Sequence, residues 1–259
     1  MINHTPLIEF RDVTVKRNGK IVLDSLDLSI NSGEQVAVLG PNGSGKSSLI
    51  KTIAREIYPQ LGSTVRILGN EVWNLFDLRA QMGVVSNDLV NTCTCKYPAR
   101  EIVMSGLFGS IGVWPNHHVT PEIERRTDEV LEMMEIAELA DRPVEALSSG
   151  EARRVVIGRA LVHGPRALVL DEPTTSLDFH GKHELRNTLR KLAQSGIGIV
   201  MVTHNLTDVI PEINRVVMLR RGRIYQDGPK QQVLNTESLS ALFGTPVELI
   251  ARNGYFHIW

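Results

Sequence analysis

The sequence predicts an α/β fold: a doubly wound, mainly parallel sheet with an antiparallel β part at its N-terminus and an inserted helical subdomain. Three observations predict it. Gln35-Val36-Ala37-Val38-Leu39, Ala167-Leu168-Val169-Leu170 and Ile197 to Val202 are nearly unbroken apolar runs, the composition of parallel strands buried on both faces. The first of these runs into a glycine-rich loop and a helix beginning near Gly45, which is how a βα unit opens. The first thirty residues instead alternate apolar and polar positions, the pattern of a half-buried antiparallel sheet.

Taken in order, Leu7 to Val15 and Ile21 to Ile30 form a hairpin turned by Arg17-Asn18-Gly19-Lys20. The three apolar strands form the sheet centre. Between them, over about residues 88–160, the pattern becomes helical. Thr120-Pro121-Glu122 is a helix start, with a capping hydroxyl, Pro at the first position and an acid in the first turn. Ile123, Thr127, Val130 and Met134 then share one face. Two short apolar runs, Arg215 to Arg220 and Arg223 to Gln226, flank Gly222. The tail from Pro229 is weakly patterned, and its aromatic end, Tyr255-Phe256-His257-Ile258-Trp259, suggests that it packs down.

Bulk properties narrow the function classes. With 259 residues, 42% of them hydrophobic and 22% charged, the chain can bury a large core. A formal net charge of -1 gives no global pull toward nucleic acid or anionic membrane, so no nucleic-acid partner is expected, and Arg220-Arg221-Gly222-Arg223 reads as a solvated turn. No stretch approaches the ~18 to 20 consecutive apolar residues of a membrane span; the richest, Val155 to Leu170, is broken by Arg159, His163 and Arg166. A membrane role therefore needs a partner. Met1 to Pro6 lacks a basic segment followed by an apolar one, so the cytoplasm is expected. Cys93 and Cys95 are too close for a normal disulfide and, with His117 and His118 not brought near them by the sequence, read as free thiols.

Gly40-Pro41-Asn42-Gly43-Ser44-Gly45-Lys46-Ser47, continuing into Ser48, fits G-x-x-x-x-G-K-[ST] between a strand and a helix. Gly40, Gly43 and Gly45 let backbone N–H groups converge on an anion, and the helix aims its positive end at the same place. The motif resembles the phosphate loop of P-loop NTPases. Lys46 supplies charge to the β- and γ-phosphates, and Ser47 a hydroxyl for Mg²⁺. The strand Ala167 to Leu170 ends in Asp171-Glu172, at the carboxyl edge where open α/β sheets bind ligands. Asp171 suits Mg²⁺, directly or through water. Glu172, one residue on, suits an attacking water in line with the γ-phosphate.

Leu147-Ser148-Ser149-Gly150-Glu151 is close to L-S-G-G-Q, and with it the chain resembles the ATP-binding cassette (ABC) ATPase family. Ala152 to Leu161 looks like the family's signature helix, Ser176-Leu177-Asp178 resembles its D-loop and Val202-Thr203-His204 its switch histidine. The likeness covers about residues 7–228. It implies a head-to-tail homodimer in which ATP lies between the phosphate loop of one copy and Ser148, Ser149 and Gly150 of the other, with Asp178 nearby and His204 fixing Glu172 and the water. Four positions depart from the pattern. Asn87 stands where the family has a glutamine that reaches Mg²⁺ or water, Arg17 where an aromatic residue stacks on adenine, and Ser149 and Glu151 replace Gly and Gln.

The implied division is an ATP-binding core, residues 1–87 and 161–228, a helical signature subdomain, 88–160, and a tail, 229–259, packed on the core. The implied role is an ATPase subunit on the inner face of the membrane, powering transport through separate permease chains. The alternative is a soluble ABC ATPase that remodels a non-membrane partner. Val103 to Trp114 and the Asn87 region resemble the soluble or molybdenum-transport-associated members more than the common importer subunits, and residues 106–114 read either as a grip for a permease helix or, preferred, as internal packing.

Overall fold

The computed structural model describes residues 5–259, so part of the N-terminal segment read above, Met1 to His4, lies outside the described residues. The chain forms two compact units. One is the chain up to Leu75 together with Ala193–Trp259; the other is Phe76–Leu192.

In the first unit, strands Ile8–Arg17 and Lys20–Ile30 pair antiparallel, as expected, from Ile8 opposite Ile30 to Arg17 opposite Lys20. Asn18 and Gly19 both take positive φ (50° and 76°), which the twist of a two-residue hairpin turn demands. The inward set changes parity along the first strand, from Ile8 and Phe10 to Val13 and Val15. A register shift between Phe10 and Val13, with Asp12 at φ 47°, absorbs the extra residue and keeps both halves facing the core. Strand Thr64–Ile67 adds to the open side of Ile8–Arg11.

Beside this lies a second set of strands. Gln35–Leu39 is flanked in parallel by Gly198–Thr203 and Arg215–Arg220, and Arg223–Pro229 closes the edge antiparallel. Every residue of Gln35–Leu39 and of Gly198–Thr203 is buried, which is why both read as unbroken apolar runs. The tail packs on this unit through helices Lys230–Val233 and Thr236–Phe243 and the hairpin Leu249–Arg252 with Tyr255–Ile258. Lys230 is buried and pins it: its Nζ donates to Pro211 O at 2.9 Å and Ile210 O at 3.4 Å, beneath the Phe256 ring.

The second unit holds the parallel pair Met82–Val85 and Ala167–Asp171 and most of the helices. Helix Pro121–Met133 begins as predicted: Thr120 Oγ1 accepts from Ile123 N, and Thr127, Val130 and Met134 are buried. It meets Ala99–Met104 and Ser149–Leu161, where Gly158 lets the three approach, since a Cβ there would lie 3.2 Å from Val130 and 3.3 Å from Val103. Within this unit strands Met82–Val85 and Ala167–Asp171 meet the helices closely: Gly83 is pressed against Leu168 and Ala160, and Arg166 N donates to Gln81 O.

Candidate active site

Strand register fixes where the functional residues emerge. In the first unit Leu39 lies opposite Thr203, so Gly40 and His204 leave neighbouring parallel strands side by side at their carboxyl edge. In the second, Val85 lies opposite Leu170, so the segment entering Asn87 and the pair Asp171-Glu172 do the same. Each set stands where open α/β sheets bind ligands.

The phosphate loop connects Gln35–Leu39 to helix Lys46–Ile53. Gly43 and Gly45 take φ 79° and 109°, a conformation L side chains rarely adopt. Gly40 is glycine for a different reason: a Cβ there would lie 2.3 Å from Leu219 O and 2.5 Å from Ser44 Oγ. Lys46 is buried and its Nζ spans the loop, donating to Gly40 O at 2.8 Å and Pro41 O at 3.1 Å. Ser47 is exposed, Ser48 is buried in the helix, and Pro41 and Asn42 form the loop's outer turn. Ser44 Oγ is buried and has no hydrogen-bond partner, an orphan polar atom inside the cradle. An open cleft of about 320 Å³ lies beside Asn42 and Gly43, lined also by Arg220, Arg221 and Phe243.

His204 is exposed just after its strand. The turn that carries it is built by Thr203, whose Oγ1 donates to buried Asp208 at 2.7 Å and accepts from Asn205 N at 3.0 Å. Arg17 is exposed at the end of its strand, beside the Asn18-Gly19 turn.

In the second unit Asp171 ends its strand half-buried, and Glu172 follows at φ 45°. A glutamate held in the left-handed region costs on the order of 1 kcal/mol and persists only where neighbours over-determine it. Thr175 does so, its N donating to Glu172 O at 3.1 Å and its Oγ1 to Glu172 Oε2 at 3.3 Å. Asp178 Oδ1 accepts from Gly181 N at 2.7 Å in the first turn of helix Phe179–Gln194.

Ser148 caps helix Ser149–Leu161: its Oγ accepts from Glu151 N at 3.3 Å, and Glu151 Oε2 accepts from Ser148 N at 2.7 Å. The Glu151 carboxyl is held below its usual range, first by the Ser148 side chain and then by its N–H. Ser148 and Ser149 are exposed and Gly150 half-buried. Ser149 Oγ donates to Ser176 O at 3.4 Å, and Gly150 packs on Gly181, a Cβ on Gly150 lying 3.2 Å from Gly181 Cα.

Asn87 opens the short helix Asn87–Cys93. Its Oδ1 accepts from Arg153 Nη1 at 2.9 Å, a partner the sequence reading did not assign. The available signal was a charge on the buried face of the signature helix, four residues before Ile157 and seven before Ala160.

Elsewhere, burial pushes the Cys93 thiol up to about 11, while Cys95 Sγ donates to Cys93 O. His117 stacks on Phe108 and accepts from Trp114 N at 3.1 Å. Of Val103 to Trp114, Val103 to Ser105 are buried and Gly106 lies against Arg159 O, while Trp114 is half exposed.

The glycine cradle, the acids at a parallel-strand edge and the capped second helix define a nucleotide-binding α/β ATPase. The chain belongs to the ABC transporter family, whose model matches residues 23–175. It is 32% identical over 251 residues, 94% of this chain and 93% of the relative, to an ABC transporter ATP-binding protein (YlmA) of Bacillus subtilis. Among solved structures it is similar to cbiO1 of Clostridium perfringens, part of the ABC transporter complex cbiONQ, with a TM-score of 0.77 and 26% identity, covering 92% of this chain and 94% of the other. It is also similar to an ATP-binding cassette in a dimeric post-hydrolysis state bound to ADP and phosphate, with a TM-score of 0.71 and 27% identity, covering 86% and 98%. The chain is thus the nucleotide-binding ATPase subunit of an ABC transporter. Among the described residues no helix is long and apolar enough to cross a membrane.

Proposed function

We propose that two copies of this chain close head to tail around two MgATP, and that closure and reopening power transport through separate permease subunits at the cytoplasmic face of the membrane. One observation carries this reading. Besides its phosphate loop, the chain presents Ser148, Ser149 and Gly150 at the start of a thirteen-residue helix, and we read this second helix start as an anion site for the partner copy's nucleotide, since one phosphate loop does not need it. The dimeric, ADP- and phosphate-bound relative supports it, and cbiO1, part of a transporter complex, supports the partner chains.

In this reading Gly40 to Ser48 cradle the phosphates through backbone N–H groups, and Lys46 turns its Nζ from the loop carbonyls to the β- and γ-phosphates. Arg17 stacks its guanidinium on the base. The hydroxyl of Ser47 and the carboxylate of Asp171 are hard oxygen donors that fit Mg²⁺, and the buried, unpartnered Ser44 Oγ marks a cradle built for a polar guest. Bound there, Mg²⁺ supplies charge neutralisation of the phosphate oxygens. Glu172 orients the attacking water and takes its proton, with His204 holding both, while the partner copy's signature and Asp178 complete the enclosure.

The test is Glu172→Gln with MgATP, measured by light scattering and phosphate release. Retained nucleotide, twice the monomer mass and turnover nearly lost support the reading; an unchanged mass or parental turnover counts against it. Affinity purification from membranes should recover a multispanning chain, and recovery of only soluble partners would move the role to remodelling.

A further inference from the structure

We infer that Arg153 is a positioning residue for hydrolysis, one that ties the signature helix to the loop carrying Glu172 and uses Asn87 as its anchor. This rests on the reading that the chain hydrolyses ATP between two copies.

Arg153 is 4% exposed, and burial depresses its basicity, an effect offset in part by the charge of Asp171. A guanidinium in such a place costs more than an apolar side chain of similar volume unless its hydrogen bonds are made. Two of them are made well beyond its own helix. Nη1 donates to Asn87 Oδ1 at 2.9 Å and Nη2 to Thr175 O at 3.3 Å, while Nε has no partner. The planar fork of arginine fixes the direction of both bonds, so its bonds set the spacing between the signature helix, the Asn87 helix and the loop after Glu172.

Thr175 makes that spacing matter to the chemistry. The residue whose carbonyl is gripped by Arg153 is the one whose N–H and hydroxyl hold Glu172 at its positive φ. The path from Arg153 to the Glu172 carboxylate therefore runs through one residue. Two further ties keep the helix start in register with the same loop: Ser149 Oγ on Ser176 O, and Gly150 against Gly181. A displacement of the signature in one copy thus moves the attacking-water residue of that same copy. The Asn87 oxygen serves Arg153 in place of the Mg²⁺ contact expected from the sequence.

The experiment compares Arg153→Met, Arg153→Lys, Asn87→Ala and the double variant Arg153→Met with Asn87→Ala. ATPase rates, binding of a fluorescent ATP analogue without Mg²⁺, Mg²⁺ dependence and melting are measured on each. With the parent hydrolysing ATP, Arg153→Met lowers kcat at least about tenfold while KM and analogue affinity change by less than about threefold. Arg153→Lys, which keeps the charge and one donor, falls between parent and Met. Asn87→Ala loses kcat at an unchanged half-saturating Mg²⁺ concentration, and the double variant is no slower than the worse single one, as for two members of one unit. Should Arg153→Met not fold, Asn87→Ala, at a half-buried position, decides by the same readouts. Parental kcat in either single variant, multiplying losses in the double variant, or an Mg²⁺ requirement raised about tenfold in Asn87→Ala overturns the inference. A parent that does not hydrolyse ATP would instead sink the proposed function.

Discussion

Gly40 and Gly43 belong to one phosphate loop yet should respond differently to alanine, because their constraints differ. At Gly43 the backbone sits at φ 79° and a Cβ would meet nothing within 4 Å, so alanine carries only the left-handed strain, about 1 kcal/mol. At Gly40 a Cβ would lie 2.3 Å from Leu219 O, more than 1 Å inside ordinary contact at 3.4–4 Å, and that oxygen is the backbone of a paired strand. The added methyl cannot be relieved by a rotamer change, so the cost lies near the upper end of the range for overpacking, about 3 kcal/mol. At about 2–4 °C per kcal/mol for a chain of this size, Gly40→Ala should melt about 6–12 °C below the parent and Gly43→Ala about 2–4 °C below. Scanning fluorimetry without nucleotide reads both. Equal losses, or a larger loss at Gly43, would refute the argument that the neighbouring strand, rather than φ, holds Gly40.

Two further outcomes follow from the signature helix. Replacing Ser148 with tryptophan should abolish hydrolysis while the fluorescent ATP analogue still binds single copies; parental turnover in that variant would count against an interface at Ser148 to Gly150. The Ser148 contacts hold the Glu151 carboxyl below its ordinary value, so their stabilisation is complete above the usual carboxylate range and is lost as pH falls through the depressed native value. The parent should therefore lose more melting temperature than Glu151→Gln between about pH 6 and pH 3, and parallel curves would dismiss the coupling.

Much of the fold was legible because its signals are local. The Asn18-Gly19 turn requires positive φ at two residues, Thr120-Pro121 starts a helix through its own atoms, and Gln35 to Leu39 is apolar because both faces are covered. The phosphate loop was legible for the same reason, since Gly43 answers to its own dihedral angle, with nothing within 4 Å of a Cβ there. Arg153 was not: a charge inside an apolar helix announces that something must satisfy it, but the partners lie 66 and 22 residues away in sequence, at Asn87 and Thr175. The packing of Gly83 on Leu168 and Ala160 was not legible either, because it is a contact between distant segments.

By itself the sequence determined the kind of chemistry: a glycine-rich loop before a helix, acids at the end of a buried strand and a second helix start at Ser148, each set by neighbours a few residues apart. The tertiary structure decided what each side chain is bonded to. It laid Gly40 beside His204 and the segment entering Asn87 beside the Asp171-Glu172 pair through strand register, and it gave the Asn87 oxygen to Arg153. The physical reason is range. Dihedral preference and capping act along the chain, whereas strand pairing and the satisfaction of a buried charge act across space, between residues whose approach only the folded core brings about.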